Sequence, residues 1–218
     1  MVNLGKMAYG LAYLESMGGE ENMKRDWENL LLAQQGKRSF RLYTWEEKTL
    51  SIGYSQDFLN FPIKMVKRPT GGGALLHGWD VSFSYAGLRE EWGKSFKDIY
   101  TNFMGLLLEL LREFDSSFEM SKYRGGYENY FCYFYPTLGE ITTRGKKIVA
   151  CAMRLMKDCF LIHGSLFLDM DYEYFEKLTG IGKEKLKERI TTFRELGFSQ
   201  GDMERLLKTF YLKINSCL

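Results

Sequence analysis

Three consecutive glycines, Gly71, Gly72 and Gly73, stand between two β-type runs, and this stretch constrains the chain more than any other. Residues 64–86 read KMVKRPTGGGALLHGWDVSFSYA. Before the glycines come residues 63–66 and the basic pair Lys67-Arg68; after them come Ala74, Leu75, Leu76, then the alternating Val81, Phe83 and Tyr85. A glycine triplet costs conformational entropy and gives up side-chain packing. It is worth having where the backbone takes positive φ, or where something lies directly against its N–H groups. Two readings are open. One is a long hairpin turn. The other is a site for an anionic or acyl-carrying ligand, favoured by the basic pair on one flank and His77 on the other. No Gly-Lys-Ser/Thr closes the loop and no GxGxxG is present, so it is not a nucleotide P-loop.

At 218 residues the chain can bury one substantial domain or at most two small ones. We expect a single domain over residues 1–218, with a short helical part from about residue 172. The net charge of +2 gives nucleic-acid binding no support. The opening residues hold an apolar patch but no signal-peptide core with a cleavage site. No run of about 18 apolar residues predicts a membrane span. The four cysteines, Cys132, Cys151, Cys159 and Cys217, form no CxxC pair and have no histidine at metal-ligand spacing. They read as reduced thiols of a cytoplasmic protein without a metal.

Residues 20–35 place Met23, Trp27, Leu30 and Leu31 on one stripe and predict a core-facing helix that Gly36 ends. Strands are expected over 38–45 and 50–54. Residues 96–114 give the strongest helix, with Ile99, Phe103, Leu106, Leu107, Leu110 and Leu111 at helical spacing and Ser95 as N-cap. Residues 123–143 crowd seven aromatics around Cys132, with Gly125-Gly126 before them and Pro136 after. Such punctuation predicts a loop leading into a strand. So many aromatics would be costly to expose, so the loop is expected to close over a hydrophobic cavity. Residues 146–155 and 159–169 read as a hairpin, and three short amphipathic helices follow, with stops at Gly180 and Gly197 and a cap at Ser199. Hairpins with interspersed helices and no βα alternation predict an α+β fold with a mixed, largely antiparallel sheet.

The loop Arg68-Pro-Thr70-Gly-Gly-Gly-Ala74-Leu-Leu-His77 resembles the signature of the lipoate–protein ligase and octanoyltransferase family. Asn22-Met23, Tyr43-Thr-Trp45 and Ser51-Ile-Gly53-Tyr-Ser-Gln56 extend the likeness upstream, and it covers roughly residues 20–171. One departure is plain: the family's usual aspartate after the histidine is Gly78 here. The resemblance implies a large mixed sheet, a smaller sheet and outer helices, the catalytic fold of biotin and lipoate protein ligases. It also implies that Arg68, Gly71, Gly72, Gly73, His77 and Gln56 border an acyl pocket, together with His163 and Gly164 of His163-Gly164-Ser165. Gly145-Lys146-Lys147-Ile-Val-Ala150-Cys-Ala152 is similar to the family's lysine motif, with its lysine at Lys147. A lysine ammonium beside an acyl carbonyl offsets developing negative charge. Cys132, Tyr133, Pro136, Glu140, Gly145 and Lys147 fall at the offsets of one octanoyltransferase branch, in which the cysteine takes the acyl group.

The resemblance thus implies an acyltransferase that moves an octanoyl or lipoyl group onto the lysine of a lipoyl domain through a thioester on Cys132. Its donor would be acyl carrier protein and its acceptor a lipoyl domain or the H-type protein of glycine cleavage. No cofactor is expected, and neither nucleic acid nor membrane is a partner. The alternative is an ATP- and magnesium-dependent lipoate–protein ligase working through lipoyl-AMP. From a different class, the chain could bind lipoyl domains or acyl chains without catalysis; retention of both Cys132 and Lys147 speaks against that.

Overall fold

The computed structural model describes residues 11–123 and 129–216. Gly125, Gly126 and Tyr127 of the aromatic run, and Cys217, lie outside them. The larger sheet has seven strands in the order β1-β2-β6-β10-β9-β8-β7. These are β1 (Leu14–Met17), β2 (Ser39–Trp45), β6 (Asp80–Leu88), β10 (Cys159–Phe167), β9 (Lys146–Leu155), β8 (Ile141–Thr143) and β7 (Phe118–Met120). Within this sheet, among the described residues, β1 and β2 pair in parallel and every other pair is antiparallel. The smaller sheet runs β4 (Lys64–Lys67), β3 (Thr49–Ile52), β5 (Leu75–His77), with β3 parallel to β4 and antiparallel to β5. The architecture is therefore α+β with a mixed, mainly antiparallel sheet and a second small one.

The glycine triplet is not a hairpin turn. Strands β4 and β5, which it joins, do not pair with each other, because β3 lies between them. The loop must cross the end of β3, and there a Cβ on Gly53 would lie 2.0 Å from the Gly72 carbonyl oxygen. Backbone meets backbone at that crossing, which only glycine permits.

Helices α2 (Phe96–Arg112) and α5 (Gln200–Asn215) cover one face of the large sheet. Phe83 of β6, Phe103 of α2 and Phe210 of α5 are fully buried and meet as an aromatic cluster. Both helices start on a capping box, Ser95 with Asp98 and Ser199 with Asp202, a device worth about 1 kcal/mol each. The expected cap at Ser95 is thus present. Helix α1 (Gly19–Ala33) and the small sheet lie on the opposite face.

Two expectations need correction. In α1, Trp27 and Leu31 are 38% and 39% exposed, while Asn22 and Asp26 are fully buried with Met23, Leu30 and Ala33. The polar pair turns inward because it has partners there, as shown below. In the C-terminal part, α3 (Tyr172–Thr179) and α4 (Lys183–Lys187) form, but the helix expected to run on to Gly197 stops at Lys187. The β-branched run Ile190-Thr191-Thr192 instead lies extended against β9: Lys147 N donates to Arg189 O at 2.9 Å, and Thr191 N donates to Lys147 O at 3.0 Å. This contact fixes the backbone of Lys147. Among the described residues, no helix is long and apolar enough to cross a membrane.

Candidate active site

The aromatic stretch runs as a loop into β8 at Ile141, as its glycine and proline punctuation predicts. Residues Cys132–Phe134 form a single 3-10 turn that docks on the glycine loop. Ala74 N donates to Tyr130 O at 2.8 Å and Cys132 N to Ala74 O at 3.0 Å. The Tyr133 hydroxyl donates to Leu76 O at 3.0 Å and accepts from Leu76 N at 3.1 Å. Gly73 is the point of closest approach. A Cβ there would lie 2.2 Å from the Tyr135 hydroxyl oxygen and 2.8 Å from Cys132 N, so any side chain would push the cysteine turn away. Gly72 has φ of +90°, a conformation L side chains resist.

Lys147 reaches this turn from below. Its residue is 2% exposed, not partly solvent-facing as a lysine at a strand start would be. The ammonium donates to Cys132 O, to Tyr135 O at 2.8 Å and to Glu140, whose two oxygens lie 2.9 and 2.8 Å away. Three protons thus meet three acceptors. Glu140 is equally buried and also accepts from Thr137 N at 2.6 Å. Burial pushes the Glu140 carboxyl up, against the opposing pull of Lys147. The Cys132 thiol is likewise raised, because its burial outweighs the Lys147 charge that favours the thiolate. Lysine alone therefore does not make Cys132 a resting thiolate.

Both histidines are locked in buried networks. His77 pairs through Nδ1 with Asp80 at 2.8 Å and through Nε2 with the Ser51 hydroxyl at 2.7 Å, and its ring stacks on Trp45 with centroids 3.8 Å apart. Burial would raise Asp80, but the His77 charge and hydrogen bonds to the carboxylate outweigh it and hold Asp80 below the usual range. Asp80 also accepts from Gly78 N at 3.1 Å. His163 pairs through Nδ1 with Asp26 at 2.9 Å and through Nε2 with Thr70 at 2.5 Å, and burial lowers its pKa. Asp26 in turn accepts from Arg41 at 2.8 Å and Tyr43 at 3.1 Å, and Arg41 also donates to Asn22. This explains the buried polar pair of α1. The sequence signal was there: Asn22 and Asp26 are spaced i, i+4 beside Met23 and Leu30.

Arg68 supports the glycine loop. Its guanidinium donates to Ser51 O and Oγ, to Gly71 O and to Gly73 O, at 2.8 to 3.0 Å. Gln56 is the expected site residue that the structure sets apart. Its amide bonds Gly53 N and Tyr130 O, at 3.0 and 2.9 Å, clamping the β3 end to the aromatic turn, and it does not line the cavity.

A cavity of about 560 Å³ joins these parts, within the usual range for small-molecule sites. Cys132, Arg68, Gly71, Gly72, Gly73, His77, His163 and Gly164 all line it. Lys147 stands behind the wall, and its partner Glu140 is on it. Sequence reasoning missed Trp45's partner Ser82, which accepts from the indole N–H at 3.0 Å, and Ser165, 3.0 Å from the Ser82 hydroxyl; both line the cavity. Cys151 also lines it, and burial pushes its thiol well up. Cys132, Cys151 and Cys159 are free.

The pattern describing the lipoyl protein ligase A/B catalytic domain matches residues 20–209. The octanoyltransferase LipM of Brevibacillus brevis is 31% identical over 205 residues, covering 83% of this chain and 74% of that protein. Octanoyltransferase LipM of Kyrpidia tusciae is 30% identical over 186 residues, covering 76% and 67%. Among solved structures, lipoate-protein ligase A bound with ATP superposes with a TM-score of 0.70 at 16% identity, covering 92% of this chain and 83% of that one. A structure of a bi-partite lipoate protein ligase and its E2 lipoyl domain from Thermoplasma acidophilum gives 0.65 at 16% identity, covering 92% and 81%. These two likenesses speak to the fold.

Proposed function

Since the chain belongs to the family of lipoyl protein ligase A/B catalytic domains, we propose that it is an octanoyltransferase of protein lipoylation that carries its acyl group on Cys132. The observation that carries this reading is the convergence of Cys132, the glycine loop and Glu140 on one cavity, with Lys147 bonded to Glu140 and to the cysteine turn behind its wall, in a chain whose relatives are octanoyltransferases.

In the first half-reaction the Cys132 sulfur attacks the thioester carbonyl of octanoyl-acyl carrier protein. The new C–S bond forms, the old one breaks, and the carrier leaves as a thiol with the proton that left Cys132. In the second, the amine of a lipoyl-domain or H-type-protein lysine attacks the Cys132 thioester. An amide bond forms, the acyl–sulfur bond breaks, and Cys132 leaves as a thiol with the proton given up by the amine nitrogen. Thioester exchange is nearly balanced in energy and amide formation is downhill, so neither ATP nor a metal is required in this reading. Free thiols at Cys132, Cys151 and Cys159 suit a reducing cytoplasm.

Lys147 acts here on the cysteine more than on the acyl carbonyl. Its three protons hold the carbonyls of Cys132 and Tyr135 and the Glu140 carboxylate, so it positions the nucleophile turn. Its charge offsets part of the burial that raises the thiol. Arg68, bonded to the carbonyls of Gly71 and Gly73, keeps the loop in place opposite Cys132. The enclosed side of the cavity, walled by Met23, Trp45 and Leu75, takes the alkyl tail.

Intact-mass measurement tests the proposal. Incubated with octanoyl-acyl carrier protein and no ATP, the protein should gain one octanoyl group, erased by hydroxylamine and absent in Cys132→Ala. Cys159→Ala should still acylate. Full activity of Cys132→Ala together with a strict need for ATP would instead establish the ligase mechanism.

A further inference from the structure

Four consecutive residues of β9, Ala150, Cys151, Ala152 and Met153, all line the cavity. A strand shows only alternate residues to one face, so a cavity touching all four must pass around the strand's edge. The register shows how. Strand β8 pairs with β9 only as far as Val149, and beyond it, among the described residues, no strand covers that side of β9. Ala150 and Ala152 stand opposite Ser165 and His163 on the face toward α1 and the small sheet. Cys151 and Met153 stand opposite Gly164 and Ile162 on the face toward α2. The small side chains of residues 150–152 leave the passage open.

The cavity thus has two arms. The first ends blind against Met23, Tyr43, Trp45, Ser82 and Ser165, all buried. The second runs past Cys151, Met153, Tyr100 and Leu138 to Phe96, Lys97 and Tyr123. Phe96 and Tyr123 are 45% and 55% exposed and Lys97 is exposed, so this arm opens to solvent. Its wall mixes apolar groups with the hydroxyls of Ser95, Thr137 and Tyr100.

Acyl transfer through a thioester needs such a fork. At the tetrahedral carbon the alkyl tail must point one way and the departing or entering group another. The tail stays while its partners exchange, so both partners must use the same second route. Building on the octanoyltransferase reading, we propose that the α2-side arm is the shared substrate channel of both half-reactions. It first admits the extended, uncharged, amide-bearing thiol arm of the acyl carrier, which leaves as the free thiol. It then admits the side chain of the acceptor lysine, whose amine displaces the Cys132 sulfur.

Narrowing the open arm tests this. Leu138 is half-buried in a surface turn, and Leu138→Trp narrows the arm; Leu138→Phe is the milder change should the first fail to fold. Loading of Cys132 is followed by intact mass with octanoyl-acyl carrier protein and with octanoyl-N-acetylcysteamine, a short thioester. The ratio of kcat/KM for the carrier to that for the short thioester should fall at least tenfold. The preference among hexanoyl, octanoyl and decanoyl donors should stay within twofold of wild type. A shift of preference to shorter chains with the carrier ratio unmoved would place the tail in this arm and overturn the proposal. Wild-type protein that loads from neither donor would overturn the octanoyltransferase reading and this one with it.

Discussion

The buried pair of Lys147 and Glu140 makes a quantitative prediction. Both residues are 2% exposed, their charged atoms are 2.8 Å apart, and the ammonium also holds the carbonyls of Cys132 and Tyr135. Lys147→Met removes the cation and leaves a carboxylate and two carbonyls short of a donor. Breaking one side of a buried pair costs about 3–5 kcal/mol. At about 2–4 °C per kcal/mol for a chain of this size, that is a fall in Tm of roughly 6–20 °C. Adding Glu140→Gln removes the stranded charge, and the double variant should regain at least about 2 kcal/mol relative to the sum of the two single losses.

The sign of the pH dependence follows from Glu140. Its carboxyl is already raised by burial against the pull of Lys147, and without that cation it rises further. An acid raised in the folded state stabilises the fold below its unfolded pKa, and that stability is lost as pH rises through the folded value. The Lys147→Met deficit should therefore be small near about pH 5 and largest near about pH 8. Thermal and urea melts of wild type, both single variants and the double variant at the two pH values measure it. A Lys147→Met protein melting within about 2 °C of wild type at high pH would refute the reasoning, since the pair would then be solvated. Acyl transfer by this variant must accordingly be normalised to its folded fraction.

Two further outcomes are expected. Burial holds the Cys132 thiol above the ordinary value of about 8.5, so its iodoacetamide alkylation should still be rising at a pH where an ordinary cysteine has begun to level off. Peptide mass spectrometry should show Glu140→Gln accelerating it and Lys147→Met slowing it, since the Glu140 charge pushes the thiol pKa up and the Lys147 charge pulls it down. In the glycine loop, Gly71→Ala should melt within about 0.5 kcal/mol of wild type, because its Cβ meets nothing within 4 Å, whereas Gly72→Val should cost about 1–3 kcal/mol and suppress loading of Cys132. Equal melting and loading by the two variants would reduce the loop to a turn.

Much of the fold was readable because local pattern and tertiary role agree. Helix α2 carries its apolar stripe and its Ser95 cap in adjacent residues, and the β9–β10 hairpin shows two β-type runs with a short break. The failures have a common cause. In α1 the apolar count pointed to Trp27 and Leu31, yet the buried face is set by Asn22 and Asp26, whose partners Arg41 and His163 lie on distant strands. Helical periodicity predicted too long an α4, because the contact that draws Ile190 into an extended conformation is made by Lys147, more than forty residues earlier. Site residues showed the same split. Cys132, His77, His163 and the three glycines were identified through a resemblance and do line the cavity, whereas composition could not reveal that Lys147 sits behind the wall or that Gln56 serves the β3 clamp.

The missing aspartate after His77 has a physical resolution. Gly78 holds φ of +129°, and a Cβ there would lie 3.1 Å from the Lys48 side chain, so this turn accepts no aspartate at that position without strain. The carboxylate that His77 needs comes instead from Asp80, three residues after the histidine, at the first position of β6. Asp80 reaches back to the Gly78 N–H and to His77 together, and the same carboxylate oxygen that meets the ring accepts from Ser82, the hydroxyl that also supports Trp45. A single displaced carboxylate thereby ties the small sheet to the large one beneath the blind arm. A motif comparison registers a lost aspartate at Gly78; the geometry registers a buried histidine that still has its charged partner.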